Sequence, residues 1–248
     1  MSWLEQTMVG FDTETTGVNA FTDRIVTAAI ITRTGAEVTT RTWIIDPGVE
    51  IPAAASAVHG ISTERARAEG APPLEALAEI ADALGEALEA GFPIVGFNAQ
   101  YDLTILEAEL ARHGLPTLAS QLPSAEIRPV VDPLVLDRHL DRYRKGKRKL
   151  VDMCATYAVP VVADDLHAAD ADVLATLDLV HAIAAAYPAI GEVELTDLHD
   201  QQAEAHRVWA THFTAWLKSK GRTEDLPRPE WPVAGTEPLP AEDEAGLF

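Results

Sequence analysis

Between Met8 and Asp46 the chain is written largely in Val, Ile and Thr, in three runs: Met8–Asp12, Arg24–Arg33 and Glu37–Asp46. Turn-forming residues separate them, Gly17 and Asn19 after the first and Thr34 and Gly35 after the second, and Pro47-Gly48 closes the third. Runs of this composition bounded by such residues are strands. Arg33-Thr34-Gly35-Ala36 is short enough to join the second and third as a hairpin. From Ser62 the period changes. Pro72-Pro73 precede Leu74, Leu77, Ile80, Leu84 and Leu88, a three-and-four spacing that predicts an amphipathic helix ended by Gly91. Phe92–Phe97 then reads as a buried strand, and Asn98 as the cap of a helix with the stripe Leu103, Leu106, Leu110, closed by Gly114. Ile127–Val131 is a further short strand, followed by helices from Asp132-Pro133, over Lys149–Tyr157, over Ala168–Tyr187 and over Val193–Lys220. Three strands followed by alternating strands and helices imply a mixed sheet flanked by helices, an α/β fold.

The chain has 248 residues, 47% of them hydrophobic, enough for one large or two small domains with a real core. We expect three parts: a main α/β domain over 1–190, a C-terminal helix over 191–221 packed on or beside it, and a Pro-rich acidic tail over 222–248, extended and mostly unfolded by itself. A single cysteine, Cys154, excludes a disulfide framework and a multi-thiolate zinc site. Met1–Gly10 has no basic stretch before its apolar residues, and no apolar run approaches the roughly 18 residues of a membrane span. A soluble cytoplasmic protein without membrane contact is the expectation. The net charge of −20 repels nucleic acid at long range, so a phosphate substrate would have to be held by local basic groups or metal ions.

Three groups of carboxylates concentrate the chemistry. Asp12 and Glu14, two apart in Phe11-Asp12-Thr13-Glu14-Thr15-Thr16-Gly17, share one face of a strand. Two acids there repel unless a cation sits between them, although the pair alone reads equally as a solvated strand end. Asp102 lies in the first turn after Asn98, just beyond an apolar strand, where α/β sheets place ligand sites; a plain helix-dipole role is the competing reading. Asp172 begins the apolar stripe Ala175, Thr176, Leu179, and a carboxylate facing a core is costly unless paired or metal-bound. His167 precedes it by five residues; taken singly, a surface or capping role suits it. His199 and His206 share a face of the last long helix with charged residues and read as solvated.

The ordered set Phe-Asp-Thr-Glu-Thr-Thr-Gly, then Asn98-x-x-x-Asp102 after an apolar strand, then His167-x-Ala-x-x-Asp172, resembles the three exonuclease motifs of the DEDDh family. That family includes the proofreading subunit of bacterial DNA polymerase III, ribonuclease T and the oligoribonucleases. The resemblance spans about Met8 to Tyr187 and extends to Val58-His59-Gly60-Ile61 and Lys149–Cys154. One departure is Phe97, where many members have His. The resemblance implies a ribonuclease H-like fold, a five-stranded mixed sheet with its second strand antiparallel. It implies that Asp12, Glu14, Asp102 and Asp172 gather two Mg²⁺ or Mn²⁺ ions and that His167 is the general base. It further implies that Thr13, Thr15 and Asn98 contact the substrate, and that single-stranded DNA or RNA is trimmed from its 3′ end to nucleoside 5′-monophosphates, DNA favoured. A non-catalytic scaffold of a polymerase or sliding-clamp complex is the alternative.

Two segments stand outside these motifs. Arg138–Lys149 holds seven of the nineteen Lys and Arg residues. It reads as a solvated loop or as a phosphate-backbone contact. The terminal Glu244-Ala245-Gly246-Leu247-Phe248 faintly resembles the peptide with which bacterial polymerase subunits dock on the sliding clamp, which would make a clamp or polymerase a partner of the tail.

Overall fold

The computed structural model describes residues 2–161, 169–224 and 226–235. The strands are β1 (Met8–Thr15), β2 (Ile25–Thr34), β3 (Glu37–Ile44), β4 (Ile94–Val95) and β5 (Val130–Val131). They form one sheet in the order β3-β2-β1-β4-β5. β2 runs antiparallel to β1 and β3, while β4 and β5 run parallel to β1. The second strand is thus the reversed one, as the resemblance implies. The hairpin forms as expected: Thr34 pairs with Glu37 across Gly35-Ala36, with Gly35 at a positive φ of 59°.

The helices are α1 (Ala53–His59), α2 (Thr63–Glu69), α3 (Pro73–Glu89), α4 (Ala99–Arg112), α5 (Leu118–Gln121), α6 (Pro133–Leu140), α7 (Leu150–Thr156), α8 (Ala169–Ala186) and α9 (Leu195–Ser219). Alternation along β1 sends its side chains to two cores. Val9 and Phe11 join Leu77, Ile80 and Leu84 of α3 and Leu103 and Leu106 of α4. Met8 faces the other way, with Met153 of α7 and Val173, Leu177 and Val180 of α8. Around β1 the sheet is therefore covered on both faces, while β3 is exposed from Glu37 to Thr42.

Some elements differ from the expectation. α1 lacks an apolar stripe, has no buried residue, and was not legible as a helix. β4 and β5 are two residues each, much shorter than the apolar runs that suggested them. Pro93 and Pro129, which have no N–H to donate, stand directly before them.

His199 and His206 are buried, 6% and 4% exposed, which corrects their reading as solvated. β5 is an edge strand with open backbone groups, and α9 closes it with side chains. The His199 Nδ1 accepts from the Val130 N–H at 3.1 Å. Gln202 accepts from the Asp132 N–H at 2.8 Å and donates to the Val130 carbonyl at 3.1 Å. Periodicity places those residues on one helix face but cannot say that the face meets a strand edge in need of partners.

Residues 226–235 form no helix or strand, yet they pack on the domain. Trp231 is 8% exposed and its ring lies 4.9 Å from that of His199. The Arg228 carbonyl lies 2.9 Å from His206 Nε2, and the Ala234 N–H donates to Thr104 Oγ1 at 2.9 Å. The expected unfolded tail therefore does not begin at residue 222. The terminal Glu244–Phe248 motif lies outside the described residues.

Candidate active site

Gly10, Asp12 and Glu14 lie on the β1 face that meets α8. A Cβ at Gly10 would collide with Val173 Cγ1 and come within 3.2 Å of Leu177 Cγ. The missing side chain lets α8 settle close against the strand, and Asp172, the residue before Val173, is brought over the two strand acids. Carboxylate oxygens of Asp12, Glu14 and Asp172 all lie within 4.8 Å of one another.

Asp102 comes from the opposite face of the sheet, on the first turn of α4. β4 pairs with β1 only at Val9 and Gly10, so further along β1 has no strand neighbour on that side. Asp102 takes the vacancy: its Oδ1 accepts from the Thr13 N–H at 3.0 Å and from the Thr13 hydroxyl at 2.6 Å. It is 4% exposed. All four acids thus gather at the C-terminal end of β1, and they perturb one another. Burial, then the charges of Asp102, Asp172 and Glu14, raise the Asp12 carboxyl well above its usual range. Burial and the charges of Asp172 and Asp102 raise Glu14 to about 7. Burial raises Asp102 as well, against the two hydrogen bonds from Thr13.

The three residues expected to meet substrate are placed as follows. Thr13 is turned to Asp102 by its hydroxyl. The Thr15 hydroxyl donates to the Gly17 carbonyl at 2.6 Å and lies 2.8 Å from the Tyr101 hydroxyl, which itself donates to Gly17 at 2.6 Å. Asn98 stands at the N-cap position of α4 in the left-handed conformation (φ 62°) and makes no side-chain capping bond, which corrects its reading as the cap. The capping group is Asp132. Its carboxylate accepts from the Asn98 and Ala99 N–H groups at 3.1 and 3.0 Å and from Leu134 at 2.8 Å. One buried acid therefore anchors the starts of both α4 and α6, and it fixes where Asp102 stands. The sequence signalled only half of this, through the Asp-Pro start of α6. Tyr101, which holds the turn after β1, carried no sequence signal. His167 lies outside the described residues.

The donor set suits a hard divalent cation. Three closely spaced carboxylates supply oxygen ligands, a fourth stands beside them, and their mutual repulsion disappears when a cation neutralises them. Asp12, Glu14 and Asp172 would hold it, with Asp102 adjoining.

Comparison with known proteins agrees with this geometry. The family model described as Exonuclease (RNase_T) matches residues 9–180. The chain is 33% identical over 174 residues to the PolC-type DNA polymerase III of Streptococcus thermophilus, a match covering 69% of this chain and 11% of that protein. The E. coli exonuclease I structure in complex with a dT13 oligonucleotide shares the fold, with a TM-score of 0.61 at 19% identity over 75% of this chain and 42% of that one. The zinc-ion-bound E. coli exonuclease I–ssDNA complex superposes similarly, with a TM-score of 0.62 at 20% identity over 86% and 45% of the two chains. This chain spans about a tenth of the polymerase and under half of exonuclease I. On the motifs, the gathered acids and these matches, the chain belongs to the DEDD-type 3′–5′ exonucleases.

Proposed function

We propose that the protein hydrolyses single-stranded DNA from the 3′ end, one nucleoside 5′-monophosphate at a time, and takes RNA less well. The observation that carries the reading is the convergence of Asp12, Glu14 and Asp172, within 4.8 Å, with Asp102 beside them. A scaffold has no use for four mutually repelling acids that weaken it. Solved relatives of the same fold hold a dT13 oligonucleotide and single-stranded DNA, which favours that substrate class here. In this reading Asp12, Glu14, Asp102 and Asp172 would hold two Mg²⁺ or Mn²⁺ ions, which would supply a lowered pKa for the attacking water and positive charge at the scissile phosphate.

The remaining work falls to the chain's own groups. Thr13 fixes the Asp102 carboxylate. Tyr101 and Thr15 brace the turn after β1 beside the terminal nucleotide, and Asn98 contacts the strand. His167, five residues before Asp172, takes the proton of the water. A positioned base of this kind contributes typically about 10²–10⁴-fold. Proofreading or repair in the cytoplasm, and a sliding clamp or polymerase as partner of the tail, are the cellular roles we attach to it.

The test uses matched DNA and RNA oligonucleotides, labelled at the 5′ end, with Mg²⁺, Mn²⁺ or EDTA. The expected result is a metal-dependent ladder from the 3′ end, faster on DNA, lost in Asp172→Asn and slowed about 10²–10⁴-fold in His167→Ala. Undiminished degradation by Asp172→Asn would overturn the site.

A further inference from the structure

We propose that the outer half of α9 and the loop after α6 form a second, non-catalytic binding site for single-stranded nucleic acid, which holds the strand behind its 3′ end. The proposal rests on the exonuclease reading and deepens it.

The first observation is a row of rings. Trp209, Phe213 and Trp216 stack in sequence along α9, with centroids 5.4 and 5.5 Å apart and planes within 21° and 10° of parallel. The Arg138 guanidinium lies over Trp209, 3.8 Å from the ring centroid. The row is not core: Phe213 and Trp216 are 37% and 52% exposed. It lines a groove of about 910 Å³ between α6 and α9, with Arg138, His139 and Arg142 on the other wall.

The second observation is charge. In a chain of net charge −20, no acid occurs over 142–151 or over 205–223, and these two stretches carry Arg142, Lys145, Lys147, Lys149, Lys220 and Arg222 among other cations. Arg144 and Arg148 are committed inward, on the buried Asp137 at 2.9 and 2.5 Å, and they shape the loop. Arg142, Lys145, Lys147 and Lys149 are exposed and ion-pair with no acid among the described residues. At the far end of the groove the lining acids are neutralised, Asp200 by Arg128 and Glu204 by Arg207.

Aromatic faces beside unpaired cations are what an unpaired strand needs, since bases stack on the rings and phosphates meet the charges. An apolar protein partner would gain nothing from the missing acids.

The third observation is direction. α9 runs alongside β5 from His199 at Val130, through Gln202 at Asp132, to His206, 3.3 Å from Gln100 on the first turn of α4. Asp102 is on that same turn. Trp209–Trp216 therefore continue past the C-terminal edge of the sheet, the edge that carries the acids.

The experiment measures binding of fluorescein-labelled dT5 and dT20 to the full chain in EDTA by anisotropy, and in parallel turnover of a trinucleotide and of dT20 in Mg²⁺. The expected result is tighter binding of dT20 than of dT5. For Phe213→Ala/Trp216→Ala, dT20 binding should weaken by at least about 10-fold, on the per-base worth of aromatic stacking, with trinucleotide turnover unchanged. Arg142→Glu, a surface change, should weaken dT20 and lower its salt dependence. Parental dT20 affinity in both variants overturns the proposal, as does gel filtration showing a dimer that the double variant dissolves. Intact dT20 binding without hydrolysis of any oligonucleotide would instead remove the catalytic reading and leave this site standing.

Discussion

Among the buried carboxylates of this molecule, two groups are surrounded in different ways. At the seam between β5, α4 and α6, Asp132 is 1% exposed and accepts backbone N–H groups from Asn98, Ala99 and Leu134. At the end of β1, Asp12 and Glu14 face Asp172 across less than 4.8 Å, and burial and repulsion raise both. At the seam burial raises Asp132 to about 6, and the backbone N–H donors offset part of that cost. At the site the acids repel one another, and a divalent cation or protonation relieves that repulsion. A buried acid held by several backbone donors anchors the fold, and a cluster of acids facing one another is a candidate functional site.

The largest effect expected from this contrast is a split between stability and activity. Asp12→Ala should reduce hydrolysis to background while the unfolding temperature in EDTA stays level or rises. Asp132→Ala should cost about 1–4 kcal/mol in urea unfolding, from two helix caps at about 0.5–2 kcal/mol each. Loss of stability in the first variant, or none in the second, would erase the distinction.

A smaller effect tests the seam through pH. Burial, with the nearby Arg128 charge, lowers His199 to about 4. Its folded pKa lies below its unfolded value near 6.5. The contribution is therefore complete above pH 6.5 and is lost as pH falls toward 4. By pH 5 the loss amounts to about 2 kcal/mol. The site acids act in the opposite direction, since their raised values make the metal-free fold firmer as pH drops below about 7. A His199→Gln variant keeps the site unchanged and isolates the seam: its urea midpoint should fall less than the parent's between pH 7.5 and 5. Parallel curves would show that His199 does not titrate with folding.

The smallest effect concerns the segment after α9. Truncation after Gly221 removes Trp231 from its place against His199, a loss of about 2 kcal/mol for one large apolar side chain. It also frees Gln100, which donates to the Arg228 carbonyl at 3.3 Å, two residues before Asp102. Trinucleotide turnover should fall by a fewfold without vanishing, because no ligand is removed. Unchanged melting and turnover would return the whole of 222–248 to the status of a free arm.

The acids of the site were legible because each sits in a pattern with local meaning: a period-two pair on a strand, an early helix acid, an acid at the head of an apolar stripe. The β-rich first third and the long helices were legible for the same reason, since period and turn residues are properties of neighbouring positions. β4 and β5 were overextended because an apolar run shows burial, not where strand pairing stops. His199 and His206 were misplaced because burial of a polar helix face depends on partners elsewhere in the chain, Val130 for the first and Gln100 and Arg228 for the second.

What the sequence determined by itself is the set of candidate acids, Asp12, Glu14, Asp102 and Asp172, in the order of the family's motifs, and the alternation that sends Val9 and Phe11 to one face of β1 and Met8, Gly10 and Asp12 to the other. What only the tertiary structure decided is how those pieces meet. Gly10 matters because Val173 packs over it, Asp132 matters because the start of α4 lies within reach of its carboxylate, and the face that helical spacing gives Trp209, Phe213 and Trp216 stays open because α9 runs on past the sheet to the start of α4. Such facts are distances between residues remote in the chain, and local pattern carries no information about them.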